Sequence, residues 1–232
     1  MTEAIKIKKQ VKQKPLKIAY CENDDTNMII EIGVDEAGRG PMLGRVYTGA
    51  VVLPKNMEQF NHALMKDSKK FHSDKKIREV AIYIKEHAIA WSVAFSDENV
   101  IDDINIRRAT HKAMHDSISE TISKLNTNNS DILLLIDGND FTTFSNEGNQ
   151  LSHVCIEGGD NAYTCIAAAS ILAKVARDDY IAELCVNDPS LIERYDLLKN
   201  KGYGTQKHMD GIRKHGITLF HRKTFGICRD YV

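Results

Sequence analysis

Apolar positions along this chain switch between a period of two and a helical period, and the switches mark its elements. Residues 28–34 and 46–53 are β-branched apolar runs separated by the glycine-rich stretch 38–44, which predicts two strands of a hairpin. Ser73 or Asp74 can cap a helix through about His87, and Ile89, Trp91, Val93 and Phe95 then alternate with smaller residues as a third strand. Met114, Ile118, Ile122 and Leu125 recur at helical spacing and predict a helix over 105–125, ended by an asparagine-rich cluster. Residues 131–137 are almost continuously apolar, as in a central strand covered on both faces. A polar loop over 138–150 and a short strand over 151–156 follow. A helix rich in Ala167, Ala168, Ala169, Ser170, Ala173 and Ala176 then ends before Asp188-Pro189. After the turn at 201–205, Thr205 caps a last helix ending near His215-Gly216. This order predicts one α/β domain over 28–232 behind a basic tail, 1–27.

Four acids stand at or just beyond strand ends: Asp35 and Glu36, Asp137, and Asp160 in the turn Glu157-Gly158-Gly159-Asp160. A sheet can bring such positions together from distant parts of a chain. Adjacent carboxylates repel unless a cation lies near them, and Mg²⁺ takes oxygen ligands while retaining waters. Two such ions roughly 3.5 to 4 Å apart can activate a water and stabilise a leaving oxygen in phosphodiester cleavage. Successive strand side chains point to opposite faces, so Asp35 and Glu36 share a site only if Ala37-Gly38 breaks the alternation. Glycines on both sides of Arg39 let backbone N–H groups approach a phosphate. For the acidic pair alone, a polar strand end running into a surface turn is the alternative.

The formal net charge of −1 hides an uneven distribution. Lys6, Lys8, Lys9, Lys12, Lys14 and Lys17 make the start basic, and Lys199, Lys201, Lys207, Arg213, Lys214, Arg222, Lys223 and Arg229 do the same for the end. Hydrophobic residues make up 42% of the 232, enough for a buried core. No apolar run approaches the roughly 20 residues that span a bilayer, and no signal-peptide pattern opens the chain. A cytoplasmic protein without a membrane partner is expected. The five cysteines lack C-x-x-C spacing, which favours neither a disulfide framework nor a zinc site.

Ordered motifs extend these readings. They are Gly33-Val-Asp-Glu-Ala-Gly-Arg-Gly-Pro41, Gly49-Ala-Val-Val-Leu-Pro54, Asp67-Ser-Lys-Lys70, Ile101-Asp-Asp-Ile-Asn-Ile106, Ile136-Asp-Gly138, Gly159-Asp160, the run from Ile166 to Asp178, Lys201-Gly-Tyr-Gly-Thr205 and His221-Arg222. In that order they make the chain resemble ribonuclease HII, the family of the ribonuclease H2 catalytic subunit. The resemblance implies a ribonuclease H-like fold: a central mixed β-sheet flanked by helices, with a C-terminal helical segment. It implies an endonuclease for the RNA strand of RNA/DNA hybrids that also cuts 5′ to single ribonucleotides in duplex DNA, leaving 3′-hydroxyl and 5′-phosphate ends. Two ions of Mg²⁺ or Mn²⁺ and activity as a monomer are implied with it.

The family's catalytic, metal-holding acids map onto Asp35, Glu36, Asp137 and Asp160. Its substrate-gripping positions map onto Gly38, Arg39, Gly40 and Tyr203, while Lys69 and Asn105 fall in motifs expected near the nucleic-acid backbone. A ring packed on a sugar beside hydrogen-bonding backbone groups can test for a 2′-hydroxyl. Asp178, beside Arg177, reads as structural, and Lys174 as support for the acids or the fold. His208 and His221 either touch substrate or satisfy local hydrogen bonds. Two departures stand out: Gly158 in place of a usual lysine, and Asp196, Leu197 and Asn200 in the segment before Tyr203. A ribonuclease HIII-like preference for longer RNA tracts and a silent hybrid-binding subunit stay open as alternatives.

Overall fold

The computed structural model describes residues 15–21 and 29–232. The lysines at 6, 8, 9, 12 and 14 of the expected tail lie outside the described residues. At the centre is a mixed five-stranded sheet in the order β3-β2-β1-β4-β7. Strands β1 (Ile30–Ala37), β2 (Val46–Val52) and β3 (Ala90–Ser96) are joined antiparallel. On the other side of β1, strands β4 (Ile132–Asp137) and β7 (Ser152–Ile156) run parallel to it. The expected loop over 138–150 contains a two-residue hairpin, β5 (Ser145–Asn146) with β6 (Asn149–Gln150), next to the buried Phe144.

Strand alternation distributes the core between two faces. Ile32, Val34, Ala50, Val52, Leu134 and Ile136 pack with Met114, Ile118 and Ile122 of helix α2 (Glu98–Ile122). Val51 and Leu135 meet the other layer, formed by α1 (Asp74–His87) and α3 (Thr164–Asn187). Small residues let α3 lie unusually close to the sheet. A Cβ on Gly49 would sit 2.5 Å from the Ala169 carbonyl oxygen, and one on Gly33 would overlap the backbone joining Cys165 to Ile166. Short helices α4 (Ser190–Tyr195) and α5 (Leu197–Asn200) then lead to the 201–205 turn and to α6 (Gln206–His215).

Three expectations about boundaries change. Strand β1 does not end at Val34 but carries Asp35 and Glu36 within it, because β2 continues to pair as far as Ala37 after β4 has stopped at Val34. Helix α2 starts at Glu98, capped by the Asp97 side chain, with a break at Asn105 (φ 68, ψ 161). The expected start at Asn105 is therefore the start of the second half, where its Oδ1 accepts from the Arg108 N–H at 3.1 Å. Residues 15–21, inside the expected tail, lie against the domain. Lys17 bridges Ala162 and Thr164 through its N–H and carbonyl, at 2.8 and 3.0 Å.

Among the described residues no helix is long and apolar enough to cross a membrane, and the cysteines form no disulfide. The closeness of α3 yields a stability prediction. Gly33→Ala should cost about 1–3 kcal/mol by forcing helix from sheet, seen as a lower denaturant midpoint with an unchanged slope. A native midpoint would show that the helix yields freely.

Candidate active site

The end of β1 lies beside the end of β4, and the turn before α3 comes up against both. Asp35 and Asp137 follow Gly33 and Leu135 on the face covered by α3. The Asp160 N–H donates to Asp137 Oδ1 at 3.4 Å, which ties the 3-10 turn Gly159–Asn161 to β4. Past the end of the β1–β4 pairing, the Glu36 N–H is taken by Asp35 Oδ1 at 2.7 Å. Asp35 and Asp160 are buried, whereas Glu36 and Asp137 are half-buried. The four acids expected from the sequence thus come together around the sheet end, but β1 stays regularly paired through Ala37, so the alternation is not broken there and Asp35 and Glu36 leave the strand on opposite sides.

Their electrostatics show what this gathering costs. Burial, then Glu36 and Asp137, hold the Asp35 carboxyl well above the ordinary carboxylate range, against hydrogen bonds from Ser170 and the Glu36 amide. Burial also raises Glu36, with Arg39 opposing and Asp137 adding. For Asp160 burial is again first, followed by Asp137 and Asp67, with Lys69 and Asn161 opposing. Nearby cations answer only part of this charge. Arg39 Nη1 lies 3.6 Å from Glu36 Oε1. Burial works against the Lys69 ammonium, yet Asp160, Asp67, Asp35 and Asp137 together raise its pKa.

This donor set suits a hard divalent ion. Among the described residues no three His, Cys, Asp or Glu side chains close into a ready-made metal cage. An open group of carboxylates matches an ion that keeps waters and takes substrate oxygens into its shell, rather than a closed structural zinc site.

The turn after β1 is built from below by two arginines. Arg222 is fully buried and donates to four carbonyls: Gly38 at 2.6 Å, Arg39 at 2.9 Å, Pro41 at 2.8 Å and Gly44 at 2.8 Å. Its backbone N–H adds a bond to the Met42 carbonyl at 2.8 Å. The buried Arg177 donates to the Leu43 and Lys201 carbonyls at 3.3 and 2.8 Å, joining this turn to the one that bears Tyr203. Gly38, at φ 95, passes so close to Arg177 that a Cβ would overlap its Nε. With the Arg39 carbonyl directed inward to Arg222, Arg39 and Gly40 remain exposed beside the exposed Tyr203 ring, whose Cε1 would be 3.5 Å from a Cβ on Gly40.

Other expected residues divide by position. Lys69 is exposed above the acids, and Asn105 is exposed on α2 with its oxygen already used as a cap. Lys174 pairs with Asp178 on α3 and so supports the fold. His208 and His221 are buried and bonded to each other, Nε2 to Nε2 at 3.1 Å, which assigns them to the local network. Burial and His208 push His221 down to about 3, so it stays neutral. The unusual 195–200 segment is well tied: Asn200 Nδ2 donates to the Tyr195 carbonyl at 2.6 Å, and its Oδ1 accepts from the Gly202 N–H at 2.8 Å. Gly158 has φ 66, a conformation that costs glycine little. The structural role of Arg222 escaped the sequence reading, since an arginine among polar residues normally implies a solvated surface. Its place beside His221, followed by Phe225, was the only signal.

Comparison with known proteins places the chain in a family. The family model described as Ribonuclease HII matches residues 32–228. A ribonuclease HII of Parabacteroides distasonis is 44% identical over 196 residues, covering 84% of this chain and 89% of that protein. The crystal structure of ribonuclease H2 from Pyrococcus horikoshii superposes with a TM-score of 0.68 at 20% identity, covering 88% and 97% of the two chains. That of Bst-RNase HIII in complex with Mn²⁺ gives 0.67 at 18% identity, covering 88% and 69%. The fold is therefore ribonuclease H-like, a mixed sheet flanked by helices. Within that class the chain belongs to the ribonuclease HII family. It is an endoribonuclease of type 2, a metal-dependent hydrolase of the RNA strand in RNA/DNA hybrids.

The raised carboxyl values mean that the folded chain binds these protons more tightly than the unfolded chain, so ionising them destabilises the fold. In EDTA near pH 8, Asp35→Asn should melt higher than the native chain, by about 2–4 °C for each kcal/mol of relieved repulsion. The gap should shrink as pH falls and vanish below the unfolded carboxylate value of about 4. Melting at or below the native temperature at pH 8 would remove mutual repulsion as the cause.

Proposed function

We propose that this chain cuts the RNA strand of hybrids and also nicks duplex DNA on the 5′ side of a single embedded ribonucleotide, leaving 3′-hydroxyl and 5′-phosphate ends. The observation that carries the reading is the meeting of two groups at the end of β1. Four carboxylates cluster on one side, and the turn braced by Arg222 stands beside Tyr203 on the other. Asp35, Glu36, Asp137 and Asp160 would hold Mg²⁺ or Mn²⁺. Two such ions, when bound, supply activation of water and stabilisation of the leaving oxygen.

The chain's own groups do the rest. Gly38, Arg39 and Gly40 would offer backbone N–H groups and one guanidinium to the phosphates around the scissile bond, and Lys69 a further positive charge. Tyr203, fixed beside Gly40, would pack on the sugar and admit the nucleotide that carries a 2′-hydroxyl. Asn105 retains an unused Nδ2 for the backbone of the bound duplex. The catalytic unit would be the single chain, acting in the cytoplasm, with residues 28–232 as its catalytic domain. A Mn²⁺ complex of one structural neighbour supports the choice of ion.

The test is a DNA duplex containing one ribonucleotide, beside an all-RNA/DNA hybrid. Both should be cut in Mg²⁺ or Mn²⁺ and left intact in EDTA. Cutting that persists in EDTA sinks the metal mechanism, and cutting of the hybrid alone favours the reading that requires longer RNA tracts. Asp35→Asn should lower turnover by at least about 100-fold while still binding the duplex. Near-native turnover would exclude Asp35 from the role. Tyr203→Ala should lose cleavage of the single-ribonucleotide duplex more than cleavage of the hybrid, read as the ratio of the two kcat/KM values.

A further inference from the structure

We infer that Asn161 is a positioning residue for Asp160, acting through the 3-10 turn Ser68–Lys70. The inference rests on the metal-holding role proposed for Asp160. The Asn161 carboxamide is fully engaged. Its Nδ2 donates to Asp160 Oδ1 at 3.0 Å and to Asp67 Oδ2 at 3.2 Å, while its Oδ1 accepts from the Lys70 ammonium. Asp67 is buried, and its other oxygen accepts the Lys69 N–H at 2.8 Å, which caps the turn. Ser68, next along, is bonded to the Ser170 hydroxyl at 3.0 Å, and Ser170 lies close enough to the Asp35 carboxyl to favour its ionised form. One short turn is thereby tied to two acids of the site, to Asp160 through Asn161 and to Asp35 through Ser170.

The choice of an amide follows from charge. The Asp67 carboxylate lies close enough to Asp160 to disfavour its ionised form. An NH₂ between them gives each a donor and adds no net charge, whereas a carboxylate would add a third anion and an alkyl group would satisfy neither. Asp160 also needs an external brace, because it follows Gly158 and Gly159 on a turn of three residues. With its amide bond to Asp160 in place, the carboxylate is held in one rotamer facing Asp137. Outer partners of ligating carboxylates typically change metal affinity or activity by about 10–100-fold when removed. Asn161 is itself exposed, so its side chain can be cut back without opening a cavity.

The experiment uses the full chain in four forms: native, Asn161→Ala, Asp67→Asn and the double variant. Mn²⁺ binding is followed by calorimetry and electron paramagnetic resonance, beside Mg²⁺ titrations of cleavage and thermal melts. Asn161→Ala should weaken Mn²⁺ binding about 10-fold, shift half-saturating Mg²⁺ upward by a similar factor and lower kcat. Substrate KM should stay within about two-fold and melting within about 2 °C. The double variant should bind no more weakly than Asn161→Ala alone, since residues acting in one network do not add. Native Mn²⁺ affinity in Asn161→Ala, additive losses in the double variant, or a loss that follows the melting temperature each overturns the inference. A native chain that binds Mn²⁺ yet cuts neither substrate removes the proposed function instead, and the Mn²⁺ measurements still decide on Asn161.

Discussion

Helix α3 lies on the sheet at backbone distance, over Gly33 and Gly49, and this closeness organises everything at the end of β1. Its alanines make the approach possible, and its other residues turn the approach to use. Thr164 begins the helix directly after the turn that holds Asp160. Two turns further on, Ser170 reaches the Asp35 carboxyl. Two more bring Arg177 under the carbonyls of Leu43 and Lys201. A helix standing a side chain's width further away would disconnect all three. Packing density is here the condition for chemistry rather than its background.

The charges at the site are arranged against stability. Buried carboxylates are crowded together with raised proton affinity, while two buried guanidinium groups, Arg177 and Arg222, are spent on backbone carbonyls. That division has a physical logic. A guanidinium placed among the acids would neutralise them and compete with a metal ion, whereas under the turn Arg222 fixes four carbonyls and leaves the outer surface exposed. Lys69 and Arg39, exposed at the rim, supply the positive charge nearest the acids. The molecule therefore keeps buried cations beneath the turn and exposed ones beside the acids.

Much of this was legible before any coordinates. The strand pattern, the small-residue helix and the four acids at strand ends are local signals, and the ordered motifs joined them. What was hidden depends on partners far along the chain. The extension of β1 through Glu36 is set by β2 outlasting β4 as a neighbour, which hydropathy does not record. The first half of α2 was missed because Asn105 breaks the backbone and its short apolar face mimics a loop. Arg222 reads as a surface charge until its four carbonyls are seen. His208 and His221 looked equally suited to substrate and to structure, and only their mutual bond decided between the two. The packing of residues 15–21 rests on backbone groups, to which side-chain patterns are blind.

The span between Gly38 and the guanidinium that holds it is 184 residues. On the ribosome, a chain emerging from its N-terminus has all four acids available once residue 160 has appeared. At that stage the carbonyls of Gly38, Arg39, Pro41 and Gly44 still lack their donor. The acids are thus synthesised well before the donor that holds the turn beside them. A truncated product ending before Arg222 would carry the four acids without the guanidinium that fixes the turn beside them.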